Sequence, residues 1–444
     1  MKAKTALAAL VVSVLLAVGG CAGNQPGQTP GAAQSENVTL WLISGSTPKR
    51  MRDFLVQQYA KTNGGVLTII EKGKSDIFSE LAMALPDSLA TPDMTEIDAA
   101  QASALASSFA DISDLYQPFG GGKLFQSFVE AGKLGGENRT LPYYFDSRYV
   151  FYRRDIWSAA HLAPPTTLAE FNQAVQTIAE LNPEGIPDFS GVYLGGQDWR
   201  NALAWVFANG GDLARCENDR WVSTLSDPRT IEGLTQWQQL QLNASHAPAT
   251  AGDDTTYRYL NDTDSITDED GNVTKTSLSA AAVILPGAAR KSIGAIEKDA
   301  IGRSIRTWDD LVFGVFPLPG IDGRPAPVYV GGSNVGVSAK SQHPEGAREL
   351  LRIIFSTEYQ TMLAQNGLGP ANSEFMPWLG SDEFALAMIA SAVNSKLPPV
   401  APGWAAIEQS GALEKLFQSI AEGADVAALA EQYDDALTPL LNIV

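Results

Sequence analysis

The residues of this 444-residue chain that could carry out chemistry are scattered, and their spacing excludes more reactions than it supports. Gly331-Gly332-Ser333-Asn334-Val335 would hold a serine on a tight turn. Val335 stands, however, where a G-x-S-x-G nucleophile elbow needs its last glycine. His161, His246 and His343 are far apart and none lies in an H-E-x-x-H frame, so zinc hydrolysis has no support. Gly120-Gly121-Gly122-Lys123 lacks the first-glycine spacing of a phosphate-cradling loop, which argues against ATP hydrolysis. A calcium loop built on Gly271 would need oxygen ligands where Ile266 and Ser277 stand, so Asp268-Glu269-Asp270 reads as a solvated turn. Tyr143-Tyr144 offers paired phenolates to a ferric ion, but no histidine accompanies them. Carboxylates are numerous enough for a glycosidase pair, and abundance alone is no evidence of one. The expectation is a chain with no catalytic residues, no metal and no cofactor.

One cysteine does carry a chemical signal. Lys2 and Lys4 lead an apolar run from Ala6 to Val18, and Gly19-Gly20 precede Cys21. This reads as an export signal over residues 1–20. It resembles a bacterial lipobox, in which the thiol is acylated and becomes the first residue of the mature chain. The run is shorter than the roughly 20 residues a membrane span requires. The stretch to Ser35 is rich in Gln, Gly, Pro, Ala and Ser, so residues 21–36 read as a flexible tether. The net charge is −19; losing Lys2 and Lys4 lowers the 31 basic residues to 29 against 50 acidic ones, giving −21. Such a surface repels phosphate backbones, so nucleic acid is excluded as a partner. With Cys21 acylated, Cys216 stands alone, and an exported body of this size must hold together by packing rather than disulfides.

The elements that follow alternate. Val38 to Ile43 reads as a buried strand, about 48–60 as a helix, Val66 to Ile70 as a strand, Ile77 to Leu85 as a helix and Asp93 to Ile97 as a strand. This is the pattern of a doubly wound α/β sheet. Thr167-Leu168-Ala169-Glu170 forms a capping box at a helix start. A helix from Pro344 is expected to run past Met362 to Gly367, and Ser410 to Leu441 is mostly helical. The residues around Asp268 to Asn272 join two short strands, and Trp41 and Trp237 sit in core patterns. About 400 residues call for two domains.

Several segments together resemble one family. They are Leu85-Pro86-Asp87 with Thr91-Pro92-Asp93, Leu141-Pro142-Tyr143-Tyr144 with Phe151-Tyr152-Arg153-Arg154-Asp155, Leu162-Ala163-Pro164-Pro165-Thr166-Thr167-Leu168, Val330-Gly331-Gly332-Ser333-Asn334-Val335-Gly336-Val337, and Ala401-Pro402-Gly403-Trp404. In order and spacing they resemble the extracellular solute-binding proteins of bacterial ABC importers, the sugar-binding family that includes maltose-binding protein. The resemblance implies a two-lobed periplasmic-binding-protein fold of type II. Lobe one would comprise residues 37–142 and 330–372, and lobe two residues 143–329 and 373–444. It implies hinge closure on a neutral carbohydrate, delivery to transmembrane permease subunits, and a monomer held to the outer face of the cell membrane through Cys21.

A sugar offers hydroxyls and a weakly apolar ring face, so its site pairs carboxylates with flat aromatics. By resemblance Asp146 is a sugar-binding carboxylate, with Tyr144 beside it. Trp404 is a stacking aromatic, and Trp199 lies in a loop aimed at the cleft. Asp98 ends the third strand, where it could equally cap a helix. Ser44 and Ser46 follow the first strand, and Gly331, Gly332 and Ser333 let backbone approach the ligand. Ala281 to Ala289 lacks the tryptophan that family members often carry there, so one stacking platform is lost.

Overall fold

The computed structural model describes residues 35–443 apart from 254, 263–264, 268–272 and 277. Cys21, the export signal and the tether as far as Gln34 lie outside the described residues, as does the turn at 268–272.

The first half is built as the alternation dictates: β1 (Val38–Ile43), α1 (Lys49–Thr62), β2 (Leu67–Lys72), α2 (Ile77–Ala84) and β3 (Met94–Asp98). β1 pairs in parallel with both β2 and β3, Leu40 lying opposite Ile69 and Met94. A long strand, β4 (Leu141–Arg153), follows. The second half then adds α3 (Leu168–Leu181), α4 (Trp199–Ala208), α5 (Pro228–Asn243), β5 (Ala282–Pro286) and β6 (Phe313–Phe316). The chain returns through β7 (Val330–Val337) to α6 (Pro344–Ile354) and α7 (Thr357–Gln365). It ends in α8 (Glu383–Val393), α9 (Trp404–Gln409), α10 (Ala412–Ala421) and α11 (Val426–Leu441). The sheet order is β5-β4-β7-β3-β1-β2, with β6 also on β4.

β4 belongs to both halves. Leu141 to Ser147 pair antiparallel with β7, whereas Arg148 to Arg153 pair with β5 and β6. Each half has its own apolar core. One gathers Leu40, Leu42, Met51, Leu55, Leu350 and Tyr359. The other gathers Trp157, Phe171, Trp205, Trp237 and Phe417. A third cluster, including Phe128, Phe145, Phe151 and Phe384, surrounds the middle of β4.

The Thr167–Glu170 capping box forms as expected. The single helix expected from Pro344 to Gly367 is instead two. The Ser356 side chain accepts the Tyr359 N–H and starts a second helix, a local bond that competes with continuing the first. Trp237 is core, but Trp41 is only half-buried and lies under the Lys72 ammonium, 4.1 Å from the ring centroid. Two short antiparallel strands, Ser265–Thr267 and Val273–Thr276, pair on either side of residues 268–272. Among the described residues no helix is long and apolar enough to cross a membrane, and Cys216 is a free, exposed thiol.

Gly332 makes the β4–β7 approach possible. Its φ is +143°, and a Cβ there would overlap the Tyr144 carbonyl oxygen and the Phe145 Cα. A Cβ on Gly331 would meet nothing closer than the Asp146 carbonyl oxygen at 3.8 Å. Gly332→Ala should therefore destabilise the protein by about 2 kcal/mol or more, whereas Gly331→Ala should change stability by no more than about 0.5 kcal/mol. Urea-unfolding midpoints of the two variants measure the difference.

Candidate functional site

The sheet register collects most of the expected residues at one place. Asp98, the last residue of β3, lies opposite Ser333 on β7, and Ser333 lies opposite Tyr144 on β4. Two residues along, Gly331 lies opposite Asp146. Ser44 and Ser46 follow the carboxyl end of neighbouring β1. Carboxyl ends of parallel strands are where open α/β sheets bind ligands.

What these side chains do is only partly as expected. Ser44 is exposed. The hydroxyls of Ser46 and Ser333 are both engaged by Glu96, a residue the sequence reading passed over as part of a strand. Glu96 is fully enclosed (0% exposed). Its Oε2 accepts from the Ile43 N–H at 2.8 Å and from Ser46 Oγ at 2.7 Å, while Oε1 accepts from Ser333 Oγ at 2.6 Å. Burial pushes its carboxyl up to about 7, against the lowering pull of these bonds. Beside it, Thr47 Oγ1 bonds the Tyr143 phenol at 2.8 Å, which in turn bonds the Tyr359 phenol.

Asp98 caps the 3-10 segment Ala99–Ser108, its Oδ1 accepting the Ala100 N–H at 2.9 Å. Its carboxyl is raised by burial, opposed by that bond and by the charges of Lys74 and Arg200. Asp146 faces the chain leaving β5: it accepts the Gly287 N–H at 2.9 Å and the Ala288 N–H at 3.4 Å. Burial lifts its carboxyl to about 6.

Trp199 and Trp404 come together but are each only 1% exposed. Their rings meet edge to face at 6.0 Å, and Trp199 meets Tyr329 the same way at 5.8 Å. The Trp199 Nε1–H donates to Glu414 at 3.0 Å. The guanidinium of the next residue, Arg200, stacks over Trp199 at 4.2 Å and pairs with Glu408 at 3.1 Å. In this conformation neither indole presents an open face.

Around these rings lies a charged layer the sequence did not disclose. Arg148 pairs with Asp253 at 2.7 Å and also donates to Asn201 at 3.2 Å. Asp198 caps α4 and is lifted to about 6 by burial and by the charge of Asp253. Glu408, on α9, is lifted to about 7 by burial and then by the charge of Asp98, with Arg200 and Gln101 opposing. Glu96 had one available signal: a carboxylate in the middle of a strand, beside Ile97. Arg148, Tyr329 and Glu408 had none, because only the folded chain brings them together. Among the described residues no group of three or more His, Cys, Asp or Glu could hold a metal ion.

Two α/β halves sharing β4 and β7, with polar residues converging where the strands end, define the two-lobed periplasmic-binding-protein fold. The protein resembles the sugar-binding protein MalE of Xanthomonas citri, with a TM-score of 0.72 at 17% identity over 91% of this chain and 97% of that one. It also resembles the GacH receptor of Streptomyces glaucescens, with a TM-score of 0.71 at 18% identity over 91% of this chain and 98% of that one. The profile of the bacterial extracellular solute-binding proteins matches residues 44–361, and the chain belongs to that family. Among curated proteins it is 27% identical to the diacetylchitobiose binding protein DasA of Streptomyces coelicolor, over 98% of this chain and 97% of the relative.

The raised carboxyl of Glu408 has a consequence for stability. The folded protein holds a proton there that the unfolded chain gives up near pH 4.5. Stability from this group is therefore complete below pH 4.5 and is lost as pH rises through about 7. Glu408→Gln should flatten part of the decline in thermal midpoint between pH 5 and pH 8. Trp404→Ala, by opening a cavity in an enclosed site, should cost about 3–5 kcal/mol in urea unfolding.

Proposed function

We propose that this protein is the lipid-anchored, substrate-binding component of an ABC importer, taking up a neutral carbohydrate, most simply a short oligosaccharide. It is held on the outer face of the cell membrane by an acyl chain on Cys21, acts as a monomer without breaking bonds, and hands its ligand to transmembrane permease subunits. Lobe one comprises residues 37–142 and 330–372, and lobe two residues 143–329 and 373–444. The observation that carries the reading is the convergence of Asp98, Ser333 and Tyr144 on one row of the β3–β7–β4 ladder, with Asp146 two residues along. Its support comes from a full-length relative that is a diacetylchitobiose binding protein and from a structural neighbour studied in complex with acarbose.

In this reading the carboxylates of Asp98 and Asp146 and the Tyr144 phenol pair ligand hydroxyls, as charged acceptors do most strongly. Gly331 and Gly332 bring backbone to the ligand, and Ser44 and Ser46 border it. Tyr329, Trp199 and Trp404 form the aromatic wall, which Arg200 covers until the ligand enters. Micromolar affinity, about −8 kcal/mol, needs only a few such bonds and one or two stacked rings.

Isothermal calorimetry against N,N′-diacetylchitobiose, maltotetraose and acarbose tests the assignment. At least one should bind with a Kd of about 10 μM or tighter. Asp146→Asn should weaken that ligand at least tenfold, and no reducing ends should be released on prolonged incubation. Binding to no saccharide overturns the reading. In cells, Cys21→Ser should move the protein from the membrane fraction to the medium or soluble fraction.

A further inference from the structure

The hydroxyl hydrogens around Glu96 can be arranged in two ways, one for each charge state of the carboxyl. Ser333 has a single hydroxyl hydrogen and two acceptors in reach: Glu96 Oε1 at 2.6 Å and the Tyr144 phenol oxygen at 3.4 Å. With the carboxylate charged, that hydrogen goes to Glu96, the stronger acceptor. The Tyr144 phenol is then a donor, to Ser333 or to the Glu96 carboxylate itself. With the carboxyl neutral, Glu96 must itself donate. Oε2 already accepts from two donors, the Ile43 N–H and Ser46 Oγ, whereas Oε1 faces Ser333, so the acidic hydrogen is favoured on Oε1 and donates to Ser333. Ser333 then turns its own hydrogen to the Tyr144 oxygen, and the phenol hydrogen is released toward whatever faces Tyr144.

We propose that Glu96 is a positioning residue for ligand capture: through Ser333 it sets whether the half-buried Tyr144 phenol is free to donate to a ligand oxygen, and through Ile43 and Ser46 it fixes the loop that follows β1. The inference rests on the carbohydrate-binding reading and deepens it, since a sugar ring or glycosidic oxygen is an acceptor of that kind. Glu96 touches no ligand in this arrangement, because it is fully enclosed behind Ser46 and Ser333.

The surroundings leave Glu96 as the group that titrates. The ionisable side chains facing it are Tyr143 and Tyr144 on β4 and Tyr359 on α7, all held above their ordinary range by burial and by the Glu96 charge. Asp98 bears on Tyr144, and Arg52, paired with Glu71, bears on Tyr143. The phenols stay neutral between pH 6 and 8 while Glu96, lifted to about 7 by burial, changes charge. A ligand oxygen that accepts from Tyr144 is served by the state in which the carboxyl is neutral, so binding should draw in a proton.

The first arm needs no ligand. Carboxyl 13C NMR of the wild-type protein should show one glutamate titrating near pH 7 that is absent in Glu96→Gln, with the Tyr144 ring-carbon shift following the same midpoint. A Tyr144 signal flat across that range overturns the relay, whatever binds. The second arm is calorimetry of the tightest ligand of the saccharide panel in buffers of different ionisation enthalpy. Wild type should tighten at least threefold from pH 8 to pH 6 with proton uptake. Glu96→Gln, which keeps the shape of the neutral carboxyl, should bind within threefold of wild type at pH 6 and lose the pH dependence. Glu96→Ala should lose at least tenfold in affinity. An unchanged pH slope in Glu96→Gln, or wild-type affinity in folded Glu96→Ala, overturns the proposal. Failure of wild type to bind any saccharide strikes the carbohydrate reading instead, and the NMR arm still decides the relay.

Discussion

The antiparallel ladder of Val330 to Val335 against Leu141 to Ser147 joins the first half of the described fold to the second. β7 carries the chain back to pair with β3, and β4 runs on past β7 to pair with β5 and β6 without a break. Backbone hydrogen bonds fix the register of both strands, and a slip of one residue would turn every buried side chain of β4 to the wrong face. The position of Asp98, Ser333, Tyr144 and Asp146 in adjacent rows is a consequence of that register. Gly332 is the residue that lets the ladder close, because no side chain fits between it and Tyr144.

The polar groups near the strand ends are not idle. Asp98 caps a 3-10 segment, Asp146 holds the chain that leaves β5, and Asp198 caps α4. Asp198 is buried and Asp98 and Asp146 are half-buried, and each accepts from backbone N–H groups, the arrangement in which removing a charged group from water is tolerable. The arginines follow the same logic: the buried Arg148 pairs with Asp253, and the half-buried Arg200 with Glu408. The structure shows these groups engaged with one another. Arg200 is the plainest case, since its guanidinium covers the Trp199 ring.

The first half of the fold was legible in the sequence because its strands and helices alternate with clear apolar periodicity and turn residues. β1 matches its expected span, and the Thr167 capping box is a purely local interaction. The break at Ser356 was missed because a serine inside an amphipathic pattern gives no warning that its side chain will start a new helix. Trp41 was read as core from its pattern, but the strand lies near the edge of the sheet and Lys72 covers the ring. The serines at positions 46 and 333 were picked out as ligand contacts, and the structure shows both donating inward to Glu96.

The sequence by itself determined the α/β class, the family through motifs spread over the chain, the acidic surface and the residues at strand ends, because these depend on local pattern and composition. Only the tertiary structure decided which of those residues meet, that Trp199 and Trp404 enclose one another, and that Glu96 rather than an exposed group sits at the centre of the polar network. The reason is physical: contacts between residues 96, 144 and 333, or between 200 and 408, are set by strand register and helix packing, and a linear pattern carries no record of either.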